Sequence, residues 1–341
     1  MMNIGVVGYG YWGPNVARNF HSCPGAKLTM VSDISDKRLG QAQSMFPFIK
    51  VTKDALELVR SKDVDVVAVV TPVIMHYEVA REALLAGKHI FVEKPFTTTS
   101  DQARQLIELA DKKGLKIMVD HTFLFTGAVR KMKEIIDSGA LGRLLFYDSV
   151  RVNLGLFQHD VNVIWDLAPH DLSIMDYLIP IKPASISARG AIHFQNDIED
   201  VAYVTAEFRD NGFMAHFHCN WLSPVKIRKT IISGDKQMLV WDDLDADEKI
   251  KIYDRGVEFK NANGTYGGTG IHDLLISYRS GDVHIPKLDN IEALHAEISY
   301  FIKCLEANEE PFNNGVAGLQ VVRILEAADL SIKNGGRTVR L

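Results

Sequence analysis

Three groups of residues have types and spacings that suit chemistry. The first is Gly8-Tyr9-Gly10-Tyr11-Trp12-Gly13, which follows the apolar run Asn3-Ile4-Gly5-Val6-Val7. A second apolar run, Lys27-Leu28-Thr29-Met30-Val31, leads to Asp33. Strand, glycine turn, helix, strand and acid, in that order, make up a dinucleotide site. Gly8 permits the tight turn, Gly10 lets the backbone approach a pyrophosphate, and Gly13 lets the helix pack close to the strand. Unpaired N–H groups and the dipole at the helix start favour the anion. A carboxylate at Asp33 accepts hydrogen bonds from a ribose 2′-OH and repels a 2′-phosphate, so the expected cofactor is NAD rather than NADP, with Lys37 and Arg38 softening the preference. The competing reading is a glycine turn that binds nothing.

The second group is Glu93-Lys94-Pro95, at the end of a short strand over 89–92. Sheets of α/β proteins bind ligands at such strand ends. A lysine there can hydrogen-bond a substrate oxygen and stabilise developing negative charge; the alternative is a solvated loop lysine. The third group is Asp166-Leu167-Ala168-Pro169-His170-Asp171. Asp166 and His170 share a helix face that Ser173 and Tyr177 continue, while Leu167, Ile174 and Leu178 form a face suited to a core. A carboxylate that orients an imidazole makes a general acid/base pair. Alternatively Asp166 caps the helix and His170 is a surface histidine. A metal pair lacks a third ligand at useful spacing.

The elements that must position these groups change character along the 341 residues, a length that fits about two domains. Residues 64–70 are nearly all apolar, as a central parallel strand requires, and end at Thr71-Pro72. A helix is predicted over 76–86, closed by Gly87, and another over 101–113, with Ser100 as its N-cap and Gly114 at its end. A strand over 116–119 follows. This series predicts a doubly wound parallel sheet over 1–120. From 121 to 341 the pattern predicts an α+β domain with an open antiparallel sheet. Its strands are expected at 143–153, 184–194, 200–209, 212–222, 226–241 and 247–259, joined in part by hairpins such as Arg209-Asp210-Asn211-Gly212. Helices are expected at 127–138, 166–179, 291–307 and 316–334, the last two packing back on the first domain. Residues 261–270 read as a flexible loop. Phe213, Ala215, Phe217, Cys219 and Trp221 share one strand face; Met214, His216, His218 and Asn220 share the other. That second face suits a substrate surface or a subunit interface.

The composition, 47% hydrophobic and 24% charged with a net charge of -5, is that of a globular protein without a nucleic-acid footprint. No apolar run reaches the roughly 18 residues that span a bilayer. The N-terminus reads as a strand, not a signal peptide. Cys23, Cys219 and Cys304 are scattered and odd in number, which predicts reduced thiols in the cytoplasm and no zinc site.

In order, Gly8-x-Gly10-x-x-Gly13, Asp33, Glu93-Lys94-Pro95 and Asp166-x-x-x-His170 resemble the Gfo/Idh/MocA oxidoreductases. The resemblance covers essentially the whole chain, including the C-terminal helix with Ala327-Ala328 and Ser331. It implies an N-terminal Rossmann domain and a C-terminal α+β domain whose open sheet often mediates oligomerisation, here a homodimer or homotetramer. It also implies hydride transfer between NAD(P) and a carbohydrate or cyclitol carbon. By the matched motifs, Lys94 sits near the reacting hydroxyl and His170 is the acid/base, with Asp166 beside it. Tyr11 and Trp12 lie in the cofactor turn; Glu93, Thr71, Pro72 and His76 line the nicotinamide side. Many members carry a glycine-rich stretch before the Asp-x-x-x-His motif, where this chain has Asn162-Val163-Ile164-Trp165.

The segments around Gly8–Asn15, Trp165–Asp171 and Trp221-Leu222-Ser223-Pro224 resemble a subgroup that oxidises C3 of a UDP-N-acetylhexosamine or its uronate. Such a substrate needs donors and cations, for which Arg151, Asn153, Gln158, His159, Trp165, Lys226 and Arg228 are the candidates, with Trp221 available to stack on a base. Exposed strand charges and a core tryptophan are the plainer readings. The alternative substrates are an inositol or a free monosaccharide. The alternative function is a non-catalytic sensor, which would be free to lose Lys94 or His170.

Overall fold

The computed structural model describes residues 1–155, 161–194, 198–209, 212–261 and 274–341, with the backbone alone at 257–261 and 274–277. The chain forms two compact units. One comprises Met1–Gly127, Leu172–Asp176 and Asn290–Ala327; the other comprises Ala128–Asp171, Tyr177–Asp289 and Ala328–Leu341.

The first unit is built on a parallel sheet. Its strands are β1 (Met2–Val7), β2 (Ala26–Ser32), β3 (Lys50–Thr52), β4 (Val66–Val69), β5 (His89–Glu93) and β6 (Ile117–Asp120), in the order β3-β2-β1-β4-β5-β6. All four residues of β4 are buried, as expected of a strand paired on both edges. The order reverses between β1 and β4, so their C-terminal ends form the switch point at which such sheets bind ligands. The helices are α1 (Gly13–Ser22), α2 (Asp36–Met45), α3 (Ala55–Arg60), α4 (Val73–Leu85) and α5 (Ser100–Lys113). The α5 cap is Thr99, not Ser100: the Thr99 hydroxyl accepts the Gln102 N–H at 3.2 Å. Gly114 closes α5 at φ 66°, in the left-handed region a glycine enters freely. The helices α2 and α3 escape the sequence reading; their polar, short stretches lack a clear apolar stripe.

In the second unit α6 (Gly127–Asp137) leads into β7 (Leu144–Leu154), followed by α7 (Val163–Leu178). The strands β8 (Ser185–Ala191), β9 (Val201–Glu207), β10 (Met214–Asn220), β11 (Leu222–Gly234), β12 (Met238–Asp242) and β13 (Ile250–Tyr253) come next. The strands β14 (Gly256–Asn261) and β15 (Leu274–Arg279) pair with each other, and β16 (Val283–His284) follows; α8 (Ala293–Ala307) and α9 (Gly315–Lys333) as far as Ala327 belong to the first unit, and the end of α9 and β17 (Val339–Arg340) to the second.

The large sheet runs β16-β13-β12-β11-β7-β10-β9-β8-β17. It is mixed and not wholly antiparallel, because β7 and β10 pair in parallel. Local turns specify only neighbours in sequence, and this pair is joined across α7, β8 and β9. Two of the expected long strands are each two strands: 226–241 breaks at a turn between β11 and β12, and 247–259 between β13 and β14. The alternation on β10 is as expected. Ala215, Phe217 and Cys219 are buried with Trp221, while Met214 is exposed and His216, His218 and Asn220 are half-buried. Trp221, Trp241, Tyr147 and Phe217 are the large side chains of this core.

Candidate active site

The glycine turn at the end of β1 is shaped by steric need at two of its glycines. A Cβ on Gly8, at φ 98°, would stand 2.3 Å from the Val70 carbonyl oxygen, and one on Gly13 would stand 2.4 Å from that of Gly8. Gly10 differs. Among the described residues a Cβ there meets nothing nearer than the Arg38 guanidinium at 3.8 Å, so the glycine keeps the room above it. Such a cradle fits a dinucleotide pyrophosphate, with the start of α1 next to it. Tyr11 is 93% exposed over the turn. Trp12 points inward, and its Nε1 donates to Asp120 Oδ2 at 3.1 Å.

Asp33, at the exit of β2, is buried. Its Oδ2 accepts the Tyr9 N–H at 2.7 Å and its Oδ1 the Ser35 N–H at 2.9 Å. Each carboxylate oxygen keeps a further lone pair for a ribose hydroxyl. Arg38 lies 3.5 Å from Asp33 Oδ2 with half its side chain exposed.

At the β4 exit the Thr71 hydroxyl is buried and meets no hydrogen-bond partner among the described residues, an open valence that also fits a bound cofactor. His76 does not face such a ligand. It is wholly buried, with Nδ1 2.9 Å from the Pro95 carbonyl and Nε2 2.8 Å from that of Thr71. It therefore braces the Thr71-Pro72 turn against Lys94-Pro95. Burial pushes its pKa down. Lys94 is half-buried, and its main-chain N–H donates to Glu93 Oε2 at 2.8 Å. The Glu93 carboxyl is raised well above the usual carboxylate range by burial and by Asp120, its cross-strand neighbour.

In the second unit α7 begins at Val163, capped by Asn162, whose Oδ1 accepts the N–H groups of Ile164 and Trp165 at 3.1 and 3.2 Å. Asp166 is therefore not the cap. Pro169 lies inside the helix rather than in its first turn, leaving the Trp165 carbonyl without its usual N–H. Asp166 Oδ2 accepts the Trp221 indole N–H at 3.0 Å. Trp221 is thus a core residue that orients Asp166, and not a base-stacking surface. His170 is half-buried one turn on.

Three of the substrate-binding candidates are engaged elsewhere. Arg151, 3% exposed, makes a two-pronged pair with Asp171: Nε to Oδ2 at 2.7 Å and Nη2 to Oδ1 at 2.9 Å. Its charge serves the core, where it anchors the residue after His170. Trp165 is buried, and its Nε1 donates to Asp329 Oδ2 at 2.7 Å. Arg228 stands opposite Arg151 in the β11–β7 register and pairs with Asp243 at 3.3 Å. Asn153 is half-buried on β7 and Lys226 is exposed on β11. His159 and Gln158, like most of the expected 261–270 loop, lie outside the described residues.

Sequence reasoning missed Asp120, Asp171, Glu297 and Asp329, because each matters through a partner distant in the chain. Among the described residues no group of three or more His, Cys, Asp or Glu could hold a metal ion, and no helix is long and apolar enough to cross a membrane. The three thiols are buried, which raises their pKa values and marks them as packing groups.

A doubly wound sheet with an open glycine turn at its switch point defines a nucleotide-binding class of protein. Residues 2–121 match the oxidoreductase family with an NAD-binding Rossmann fold, and residues 129–240 match the GFO/IDH/MocA C-terminal domain. The scyllo-inositol 2-dehydrogenase (NAD(+)) of Bacillus subtilis is 30% identical, over 97% of this chain and 94% of that protein. The UDP-N-acetylglucosamine 3-dehydrogenase of Acidithiobacillus ferrooxidans is 27% identical, over 94% of each. The solved structure of the latter enzyme superposes with a TM-score of 0.79 at 24% identity, over 98% of each chain. The chain belongs to the Gfo/Idh/MocA family of oxidoreductases, and its cofactor is NAD.

Proposed function

We propose that the protein is an NAD-dependent dehydrogenase that oxidises a secondary hydroxyl of a nucleotide-linked hexose, with C3 of a UDP-N-acetylhexosamine as the first candidate. The observation that carries the reading is similarity along nearly the whole chain to a UDP-N-acetylglucosamine 3-dehydrogenase, with Lys94, Asp166 and His170 all in place. Bound NAD would supply the hydride acceptor, held by the Gly8–Gly13 turn and Asp33. His170 takes the hydroxyl proton as the hydride leaves carbon, and Asp166, fixed by Trp221, holds the imidazole in orientation. The Lys94 ammonium steadies the negative charge that grows on the oxygen.

A cyclitol substrate is the second reading, favoured by the similarity to scyllo-inositol 2-dehydrogenase and by the loss of Arg151 as a free phosphate ligand. The deciding experiment is NADH production from UDP-sugars, inositols and free hexoses, with calorimetric titration of UDP into the NAD complex. Efficient oxidation of an inositol with no binding of UDP overturns the nucleotide-sugar reading. His170→Ala and Lys94→Ala are expected to cut kcat by about 10²-fold or more while NAD still binds. Homo-oligomerisation through the face of the large sheet that carries Met214 and the stacked Tyr203–His218 pair is part of the same proposal, tested by light scattering.

A further inference from the structure

Behind the glycine turn the first unit carries carboxyls that the reaction above does not use. Glu93 and Asp120 stand opposite each other on β5 and β6, and Glu297 reaches them from α8. Asp120 accepts two donors, the Trp12 indole N–H at 3.1 Å and the Thr122 hydroxyl. Glu297, wholly buried, accepts two on one oxygen: Oε1 takes the His121 main-chain N–H at 3.1 Å and the Asn313 amide at 3.0 Å. The second hydrogen of that amide goes to the Val119 carbonyl at 2.9 Å. Glu297 Oε2 is buried and meets no N–H or O–H donor among the described residues, and its carboxyl lies against that of Asp120.

Two ionised carboxylates in contact, away from water, repel strongly, and a buried acceptor without a donor adds to the cost. One proton on Oε2 removes both penalties, because it turns the orphaned acceptor into a donor and leaves a single charge on the two neighbouring carboxyls. We propose that Glu297 is a positioning residue for the cofactor: it keeps a proton on Oε2, donates it to Asp120, and so lets Asp120 hold the Trp12 indole and fix the glycine turn. The proposal rests on NAD binding by this unit, not on the substrate or the chemistry, so its failure leaves the reaction proposed above standing.

The groups that face Glu297 are Asp120 and His121 from β6 and its exit, Glu93 from β5, and Asn313 ahead of α9; Lys94 lies beyond Glu93 and His121. His121 does not neutralise the acids, since burial pushes its pKa down to about 4. Burial and Asp120 together raise the Glu297 carboxyl well above the usual range.

The test is NAD affinity by calorimetry from pH 6 to 9 for the wild type, Glu297→Gln, Glu297→Ala and Trp12→Phe, with melting curves and tryptophan emission. Glutamine keeps the acceptor toward His121 and Asn313 and presents a permanent donor to Asp120. It is therefore expected to bind NAD within about twofold of wild type at pH 7, whereas Glu297→Ala and Trp12→Phe lose about tenfold. Because the protonated form is the competent one, wild-type affinity falls as pH rises through the elevated Glu297 value, with a shift in Trp12 emission that Trp12→Phe lacks. Glu297→Gln shows neither change. Affinity lost in Glu297→Gln, a pH profile shared by the wild type and Glu297→Gln, or wild-type affinity in Trp12→Phe overturns the proposal. Glu297→Gln and Trp12→Phe decide the matter even if Glu297→Ala does not fold.

Discussion

The indole Nε1 of Trp221 donates to Oδ2 of Asp166 at 3.0 Å across 55 residues of sequence. Trp221 is buried, so a core side chain holds Asp166, the carboxylate proposed to orient His170. Trp221→Phe keeps most of the apolar volume and removes the donor. Urea unfolding is expected to show a loss of about 1.5–3 kcal/mol, the range for a buried hydrogen bond to a carboxylate. In the proposed reaction kcat should fall while KM changes little. Unchanged stability together with unchanged kcat would remove Trp221 from this role.

The Arg151–Asp171 pair, both members almost wholly buried, predicts a strongly non-additive mutant cycle. Removing one partner strands a buried charge and costs about 3–5 kcal/mol, whereas replacing both by apolar residues of similar volume comes close to neutral. Arg151→Met and Asp171→Leu should each destabilise far more than the double variant. Additive effects in denaturant titrations would mean that the guanidinium is not committed to Asp171.

Gly8 and Gly10 should separate folding from binding. Gly8→Ala puts a Cβ 2.3 Å from a main-chain oxygen at positive φ, so melting of the free protein should drop sharply. Gly10→Ala touches no atom of the described residues nearer than 3.8 Å. Its melting temperature should stay at the wild-type value while NAD affinity falls by about tenfold or more, because the methyl occupies the approach of the pyrophosphate. Wild-type NAD affinity in Gly10→Ala would contradict the placement of the cofactor.

His121 should leave a mark on acid stability. Its pKa is lowered from 6.5 to about 4 by burial, and neither ring nitrogen has a hydrogen-bond partner among the described residues. Above pH 6.5 both folded and unfolded chains are neutral there. As pH falls from 6.5 toward 4 the unfolded chain takes a proton that the folded one refuses, so stability drops, by about 3 kcal/mol at most. The raised carboxyls of Glu93 and Glu297 run the opposite way and lose stability as pH rises through their folded values. His121→Phe isolates the first effect. The stability of that variant relative to wild type should climb between pH 6.5 and 4, and a flat difference would show that the ring titrates normally.

Much of the first unit was legible in the sequence, because the glycine turn, the apolar β4 and the Gly114 stop are local signals. Lys94, Asp166 and His170 stood out only through the family resemblance, because on spacing alone a solvated loop lysine and a helix cap beside a surface histidine were the plainer readings. What local pattern does not encode is what a side chain meets across the fold. Arg151 looks like a strand cation in sequence and becomes a core ion only because Asp171 lies beneath it. Trp165 looks like a substrate platform until Asp329, in α9, accepts its N–H. The parallel pairing of β7 with β10 was hidden likewise, since strand alternation gives a face but not a neighbour.

That pairing also governs the order in which the chain can assemble. The strand β7 has β10 on one edge and β11 on the other, and both are made more than 50 residues after it. A nascent chain that has reached β9 therefore exposes both edges of its central strand, the situation in which strands seek partners in other molecules. Fragments ending before residue 214 should be aggregation-prone, and those extending past residue 234 should gain solubility abruptly, because β10 and β11, consecutive in the chain, then cover one edge of β7 each.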